Sequence, residues 1–120
     1  MTDESELTPA AHDVLEERRR QVEKGYAANH DNQHDAGELP LAAAAYAEDA
    51  AYQVHTLKFG DTDPAWADGT RDLDNPPASW PWGDDWKPST PRRNLVRAAA
   101  LLLAEIERLD RAAAKVEQAS

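Results

Sequence analysis

Two histidines four residues apart lie in a polar stretch of the sequence, and a carboxylate follows four residues later. If this stretch were helical, His30, His34 and Glu38 would share one face, and two imidazoles with one carboxylate suit a divalent transition metal. The stretch has no apolar period, which is typical of a loop. We therefore predict that these three residues and Asp31 orient a ligand, with a metal site as the alternative. Asp35 is expected to cap the next helix, with Glu38 completing a capping box.

Cationic residues surround the predicted start of a later helix. Thr90-Pro91 is a typical helix start, and Lys87, Arg92 and Arg93 lie within about one turn of it. A helix N-terminus attracts anions, because its backbone N–H groups are unpaired and the helix dipole is positive there. Cations at this end are unfavourable unless a negative group neutralises them. The sequence leaves two candidates for that group: an anionic ligand such as a phosphate or carboxylate, or acidic residues of the same chain.

Three tryptophans precede these cations. Trp80 and Trp82 form a Trp-Pro-Trp motif, and Trp86 follows it closely. Aromatic side chains stack on bases in nucleotide sites, and Arg18 or Gln21 of the first predicted helix would then lie nearby. The alternative is that the tryptophans form a hydrophobic plug that closes a small helical bundle.

Two pairs of carboxylates have a spacing that suits a metal-dependent hydrolase. Asp35 with Glu38, and Glu107 with Asp110, are each three residues apart, so each pair would point to one side of a helix. Four convergent carboxylates hold Mg²⁺, which can activate a water molecule against a phosphate. This arrangement resembles the all-α nucleotide pyrophosphohydrolases of the MazG type, and the resemblance implies Mg²⁺-dependent hydrolysis as an alternative function.

The composition restricts the functional classes. With 13 basic and 23 acidic residues the net charge is −10, which would repel DNA or RNA. There is no cysteine, and the five glycines are scattered, so thiol chemistry and a glycine-rich phosphate loop are excluded. An acidic surface can still block a host protein by charge complementarity. No stretch resembles a signal peptide or a membrane span, so we expect a cytoplasmic protein that does not contact membranes.

The pattern of apolar residues and helix caps predicts a mainly α-helical protein. Three helices are expected at about residues 8–25, 39–57 and 91–116. Residues 59–90 contain six of the eight prolines and all four tryptophans, and they form an aromatic, proline-rich insert between the second and third helices. The chain has the length of a single domain, residues 1–120, with residues 1–7 and 117–120 expected to be flexible.

The predicted helices differ in the extent of their apolar faces. The first helix has a narrow apolar stripe that includes Val22, and its charged run at residues 16–20 is expected to face solvent or a partner. The third helix carries a heptad stripe whose members are spaced alternately by four and three residues: Leu95, Ala99, Leu102, Ile106, Leu109, Ala113 and Val116. Such a stripe fits either an antiparallel helix of the same bundle or a homo-oligomer interface.

The order of several short motifs also resembles an uncharacterised family of small bacteriophage and prophage proteins. The likeness covers about residues 14–112, and it rests on the His-Asp-x-x-His, Gly-Glu-Leu, Trp-Pro-Trp and Trp-Lys-Pro motifs and on the arginine pair that follows them. The resemblance implies a bacterial cytoplasmic setting and an accessory role, such as sequestering a nucleotide signal of host defence or masking a host protein.

Together these patterns predict a ligand-binding protein that takes a nucleotide-like anion in one pocket and needs no cofactor. The alternatives are the Mg²⁺-dependent pyrophosphohydrolase and an acidic inhibitor of a host defence protein. The predicted ligand-binding residues are Arg18, Gln21, His30, Asp31, His34, Glu38, Trp80, Trp82, Trp86, Lys87, Arg92 and Arg93.

Overall fold

The structure of the protein, a computed structural model, describes residues 6–24, 31–60, 75–83 and 85–119. These residues form three helices and no strand: α1 (Pro9–Glu23), α2 (Glu38–Phe59) and α3 (Pro91–Ala119). α3 packs along both α2 and α1 and is therefore the central helix. The predicted small, mainly α-helical bundle is confirmed. None of the described helices combines the length and apolar character needed to cross a membrane.

Some of the predictions lie outside the described residues. These are the role of His30, the earlier part of the insert at residues 61–74, Asp84, and the expected flexibility of residues 1–5 and 120.

Two of the three helices begin as their sequences indicate. The backbone N–H of Ala11 donates to Thr8 Oγ1 at 3.2 Å, and the N–H of Arg93 donates to Thr90 Oγ1 at 3.2 Å. A proline occupies the first helical position after each threonine, where its missing N–H costs no hydrogen bond. Local side-chain chemistry therefore determines the starts of α1 and α3.

α2 begins differently, and the prediction that Asp35 caps it was wrong. The cap residue is Gly37, which has a φ of 92° and provides no side-chain cap. A left-handed glycine lets the chain turn sharply into the helix, and Glu38 Oε1 accepts the N–H of Ala36 at 2.8 Å. Because the helix starts at Glu38, Pro40 lies in the first turn, where proline is tolerated.

The core is built mainly from alanines. α2 contributes Leu39, Ala42, Ala43, Ala45, Tyr46 and Ala50, and α3 contributes Val96, Ala98, Ala100 and Ala104. Small side chains allow the two helix backbones to approach closely, and Tyr46 supplies the main aromatic bulk. Trp80 and Trp86 pack against this core from the segment that precedes α3.

A buried polar cluster joins α2 to the start of α3. Asn94 is fully buried, and its Nδ2 donates to Asp49 Oδ2 at 2.7 Å. Gln53 Nε2 donates to the same carboxylate oxygen at 2.7 Å and to the carbonyl oxygen of Ser89 at 2.7 Å. The N–H of Ser89 donates to Asn94 Oδ1 at 2.8 Å. These bonds fix the segment that follows the tryptophans and so help to position the site.

One prediction about a helix face was wrong, and for a second helix face the structure excludes one of the two predicted alternatives. Glu17 and Arg18 of α1 are buried, whereas Val22 is 42% exposed, so the charged run of α1 does not lie wholly in solvent. The five large members of the heptad stripe are 46–70% exposed, so the stripe is not covered by another helix of this bundle. The reason in both cases is that α3 packs on α1 through charged residues and on α2 through its alanine face.

Candidate functional site

A cavity of about 530 Å³ lies between the three helices and the tryptophan segment. This volume falls within the range of ~300–1,000 Å³ that is usual for small-molecule sites. We call it the aromatic cavity. Its walls come from α1, the segment of residues 31–37 before α2, α2 itself, the tryptophan segment and α3: Glu17, Arg20, Gln21, Lys24, Asp31, His34, Leu39, Tyr46, Trp80, Trp82, Asp85, Lys87, Arg97, Leu101 and Ala104.

The aromatic wall of the cavity is held in place by ring contacts. Tyr46 stacks on Trp86 with ring centroids 4.9 Å apart and lies edge-on to Trp80 at 5.5 Å. Trp80 contacts Trp82 at 5.2 Å, and Trp82 contacts the His34 ring at 5.3 Å. Trp86 thus supports Tyr46 from behind, whereas Trp80 and Trp82 line the cavity. Trp80 both packs against the core and lines the cavity, whereas Trp86 packs against the core and Trp82 lines the cavity.

Four cationic side chains surround the same space. Arg97 is fixed, because its Nη1 donates to the carbonyl oxygen of Lys87 at 2.6 Å and its guanidinium lies 5.8 Å from the centre of the Tyr46 ring. Arg20 pairs with Glu17. Lys24 and Lys87 also line the cavity, and neither forms an ion pair with the described residues. The cavity therefore holds positive charge that the described part of the chain does not fully neutralise.

A buried ion-pair network lies beside the cavity. The Nη2 of Arg18 is 2.8 Å from Asp31 Oδ2 and 2.8 Å from Glu107 Oε1, and its Nε donates to the same Glu107 oxygen at 2.9 Å. Asp31 is only 2% exposed. Arg18 thereby connects α1 to the segment before α2 and to α3. Arg18 is therefore next to the cavity but does not line it.

Arg92 and Arg93 lie on a second cavity of about 440 Å³ between α1 and the start of α3. Arg93 Nη2 is 2.7 Å from the buried Glu17 Oε1, and Arg92 Nη1 is 2.9 Å from Asp13 Oδ2. Hydrogen bonds from His12 and then Arg92 hold the pKa of Asp13 below its usual value. Acidic residues of α1 therefore neutralise these two arginines, which is one of the two candidates left open by the sequence. Glu17 and Arg20 line both cavities and separate them.

Of the histidine and carboxylate side chains that the sequence suggested as a metal site, the structure brings only some together. His34 Nδ1 lies 3.3 Å from Glu38 Oε2. The backbone N–H of Glu38 itself, followed by the N–H of Ala36 and the His34 ring, lowers the pKa of the Glu38 carboxyl. Glu107 pairs with Arg18, and Asp110 is exposed. Within the described ranges, no group of three or more histidine, aspartate or glutamate side chains is close enough to hold a metal ion.

The structure thus brings together six of the twelve predicted ligand residues on the aromatic cavity: Gln21, Asp31, His34, Trp80, Trp82 and Lys87. Arg18, Glu38 and Trp86 support its walls, and Arg92 and Arg93 belong to the second cavity. Tyr46 and Arg97 also line the cavity but were not among the predicted ligand residues. Tyr46 is the one large side chain in the run at residues 42–47, and Arg97 lies one turn after Arg93, so each had a weak signal.

Comparisons with models of protein families, with curated proteins and with solved structures found no match to this chain.

Proposed function

We propose that the protein binds a nucleotide-like anionic small molecule in the aromatic cavity. The observation that supports this most directly is the combination of Tyr46, Trp80 and Trp82 with four cationic side chains around one space, in a chain whose net charge is −10. A ring system can stack on an aromatic wall, and a phosphate can pair with lysine or arginine. A nucleotide carries both a ring system and a phosphate.

The acidic residues of the cavity wall further restrict the class of ligand that fits. Asp85 would repel a polyphosphate chain, but its carboxylate accepts hydrogen bonds from hydroxyl or amino groups, whereas the charge of Asp31 is neutralised by Arg18. Gln21 and His34 add further polar groups. A ligand with one or two phosphates, a sugar and a base therefore fits the mixed wall better than an oligonucleotide or a nucleoside triphosphate does.

The resemblance to small phage and prophage proteins provides the biological setting of the proposal. A small protein in the bacterial cytoplasm that holds a nucleotide signal without altering it would counter a host defence that depends on that signal. A binding protein needs no catalytic cluster, and none of the proposed contacts requires a cofactor.

The proposal is tested by binding measurements on the purified protein. We expect at least one member of a panel of mononucleotides, dinucleotides and cyclic nucleotides to raise the melting temperature and to show saturable heat in titration calorimetry. Lys87→Glu reverses a charge on the cavity and should weaken that binding at least about tenfold, because a charge-assisted hydrogen bond contributes about 1.5–3 kcal/mol. Lys115→Glu is the matched control, since Lys115 is exposed near the far end of α3 and should leave affinity unchanged.

Other outcomes would favour the other functions. Binding of no nucleotide in the panel, or equal effects of the two lysine variants, would contradict the proposal. Mg²⁺-dependent release of pyrophosphate that is lost in Glu38→Gln would favour the pyrophosphohydrolase. Native mass spectrometry of freshly purified protein adds a direct test, because it detects a nucleotide or metal that purifies with the chain.

A further inference from the structure

The heptad stripe of α3 is an exposed apolar surface on the side of the helix away from the bundle. Its large members, Leu95, Leu102, Ile106, Leu109 and Val116, are between 46% and 70% exposed. The opposite side of the same helix carries Arg97, Leu101 and Ala104, which line the aromatic cavity. α3 thus presents one face to the bundle and its cavity, and the opposite, apolar face is exposed.

The end of α3 also extends beyond its cover. α3 has 29 residues, whereas α1 has 15 and α2 has 22. Every residue from 112 to 119 is exposed, although this stretch includes Ala113 and Val116 of the stripe. Isolated helical segments are only marginally stable in water, and a packed partner along an apolar face stabilises them.

The spacing of the stripe indicates what kind of partner fits. An alternation of four and three residues, kept from Leu95 to Val116, gives the 3.5-residue period that places a seam against a second α-helix in a left-handed coiled coil. Loops, sheets and small ligands do not require this period. The occupant is therefore another helix whose apolar residues have the same period, and α3 of a second copy meets this requirement.

We propose that two copies of this chain pair through their α3 helices in an antiparallel coiled coil. In the register that places Leu102 of one copy beside Ile106 of the other, Leu95 faces Ala113 and Leu109 faces Ala99 of the second copy. Each alanine is thus opposite a leucine, which fills the seam evenly and lets the helices approach closely. A parallel pair would instead place alanine against alanine at two of its layers.

Charge selects the same direction and register. The N-terminal end of the stripe carries Arg92, whose side chain is 61% exposed even though it pairs with Asp13. Beside the C-terminal end of the stripe lie Asp110 and Glu117, whereas the helical period places Arg111 and Lys115 on the other side of α3. In the antiparallel register, Arg92 lies beside Val116 and Glu117 of the second copy, so opposite charges meet. A parallel pair would bring like charges together at both ends, and the helix dipoles would also be aligned unfavourably.

The first test is the mass of the protein in solution, measured by size-exclusion chromatography with light scattering. We expect the wild-type chain to have the mass of two copies and Leu102→Lys/Ile106→Lys to show a twofold lower mass. Both substituted side chains are about half exposed, so the far-UV circular dichroism per chain should show a folded bundle. Leu57→Lys is the matched control, because Leu57 is 82% exposed on α2 and lies off the stripe. A monomeric wild-type chain, or a dimer that survives the double substitution, would overturn the proposal.

The second test determines direction, and the absence of native cysteine makes it simple. Positions 95 and 113 are about 27 Å apart along one helix, far beyond the reach of a disulfide. A mixture of Leu95→Cys and Ala113→Cys chains should therefore form a disulfide-linked heterodimer, while neither variant alone should form a linked dimer. Efficient linkage of either variant to itself would instead support a parallel pair and contradict the proposed geometry. Nucleotide binding should be unchanged in the Lys double variant, so this proposal and the proposed function can fail separately.

Discussion

Replacing Arg18 tests whether the buried ion pair beside the aromatic cavity stabilises the fold. Arg18→Met keeps much of the aliphatic length of the side chain but removes the guanidinium. Asp31, which is 2% exposed, then loses a cation that lies 2.8 Å away. Loss of one partner of a buried ion pair costs about 3–5 kcal/mol, because the remaining charge stays away from water. The contact with Glu107 adds little, since that side chain is 47% exposed and is screened by solvent.

The measurement is urea unfolding followed by far-UV circular dichroism. We expect Arg18→Met to lower the free energy of unfolding by about 3–5 kcal/mol, a large part of the ~5–15 kcal/mol of an ordinary domain. Arg18→Met/Asp31→Asn should recover part of this loss, because the amide has the same shape as the carboxylate and costs less to bury. The free energy of unfolding of Arg18→Lys should lie between those of the wild type and Arg18→Met. The lysine ammonium keeps the positive charge but cannot reproduce the contacts of the planar guanidinium with both carboxylates.

A small effect would refute this reasoning. If Arg18→Met cost less than about 1 kcal/mol, the pair would behave as an exposed salt bridge does, and water would have to reach Asp31. If the double variant were no more stable than Arg18→Met, the loss would come from packing and not from the buried charge of Asp31. The comparison of single and double variants separates these two explanations.

Three further predictions follow from other parts of the structure. Asn94→Ala removes the hydrogen bonds to Asp49 and from Ser89 and should lower the free energy of unfolding by about 2–4 kcal/mol in the same urea assay, whereas an effect near zero would contradict the buried cluster. Burial raises the pKa of the Tyr46 hydroxyl above 10.0, so the folded state keeps a proton that the unfolded chain releases. The stabilisation that Tyr46 contributes is therefore present at neutral pH and is lost as the pH rises through the raised pKa. In urea unfolding at increasing alkaline pH, the free energy of unfolding of Tyr46→Phe should therefore fall less than that of the wild type. Gly37→Ala should lower the free energy of unfolding by about 1–2 kcal/mol, because φ is 92° at that position, and an unchanged unfolding curve would show that the start of α2 can rearrange.

The sequence determined the local features of this protein. Thr8-Pro9 and Thr90-Pro91 specify helix starts through one side-chain oxygen and one proline ring each, and these interactions involve only neighbouring residues. The period of the heptad stripe is equally local, so the sequence alone identifies a helix with an apolar seam. For Trp80 and Trp82 the sequence left two alternatives, a stacking surface for a ligand and a hydrophobic plug, because their aromatic rings suit either role.

Only the tertiary structure decided which of these residues meet. From the sequence, Arg18 looks like a solvent-exposed residue of α1. Its partners Asp31 and Glu107 come from the segment before α2 and from α3, and no local pattern shows them. Arg92 and Arg93 were separated from the tryptophans because Asp13 and Glu17 lie across from them. The packing of α3 also left its heptad stripe facing outward. Helix caps and periods depend on neighbouring residues, whereas ion pairs and cavities depend on distances that the packing of α1, α2 and α3 sets.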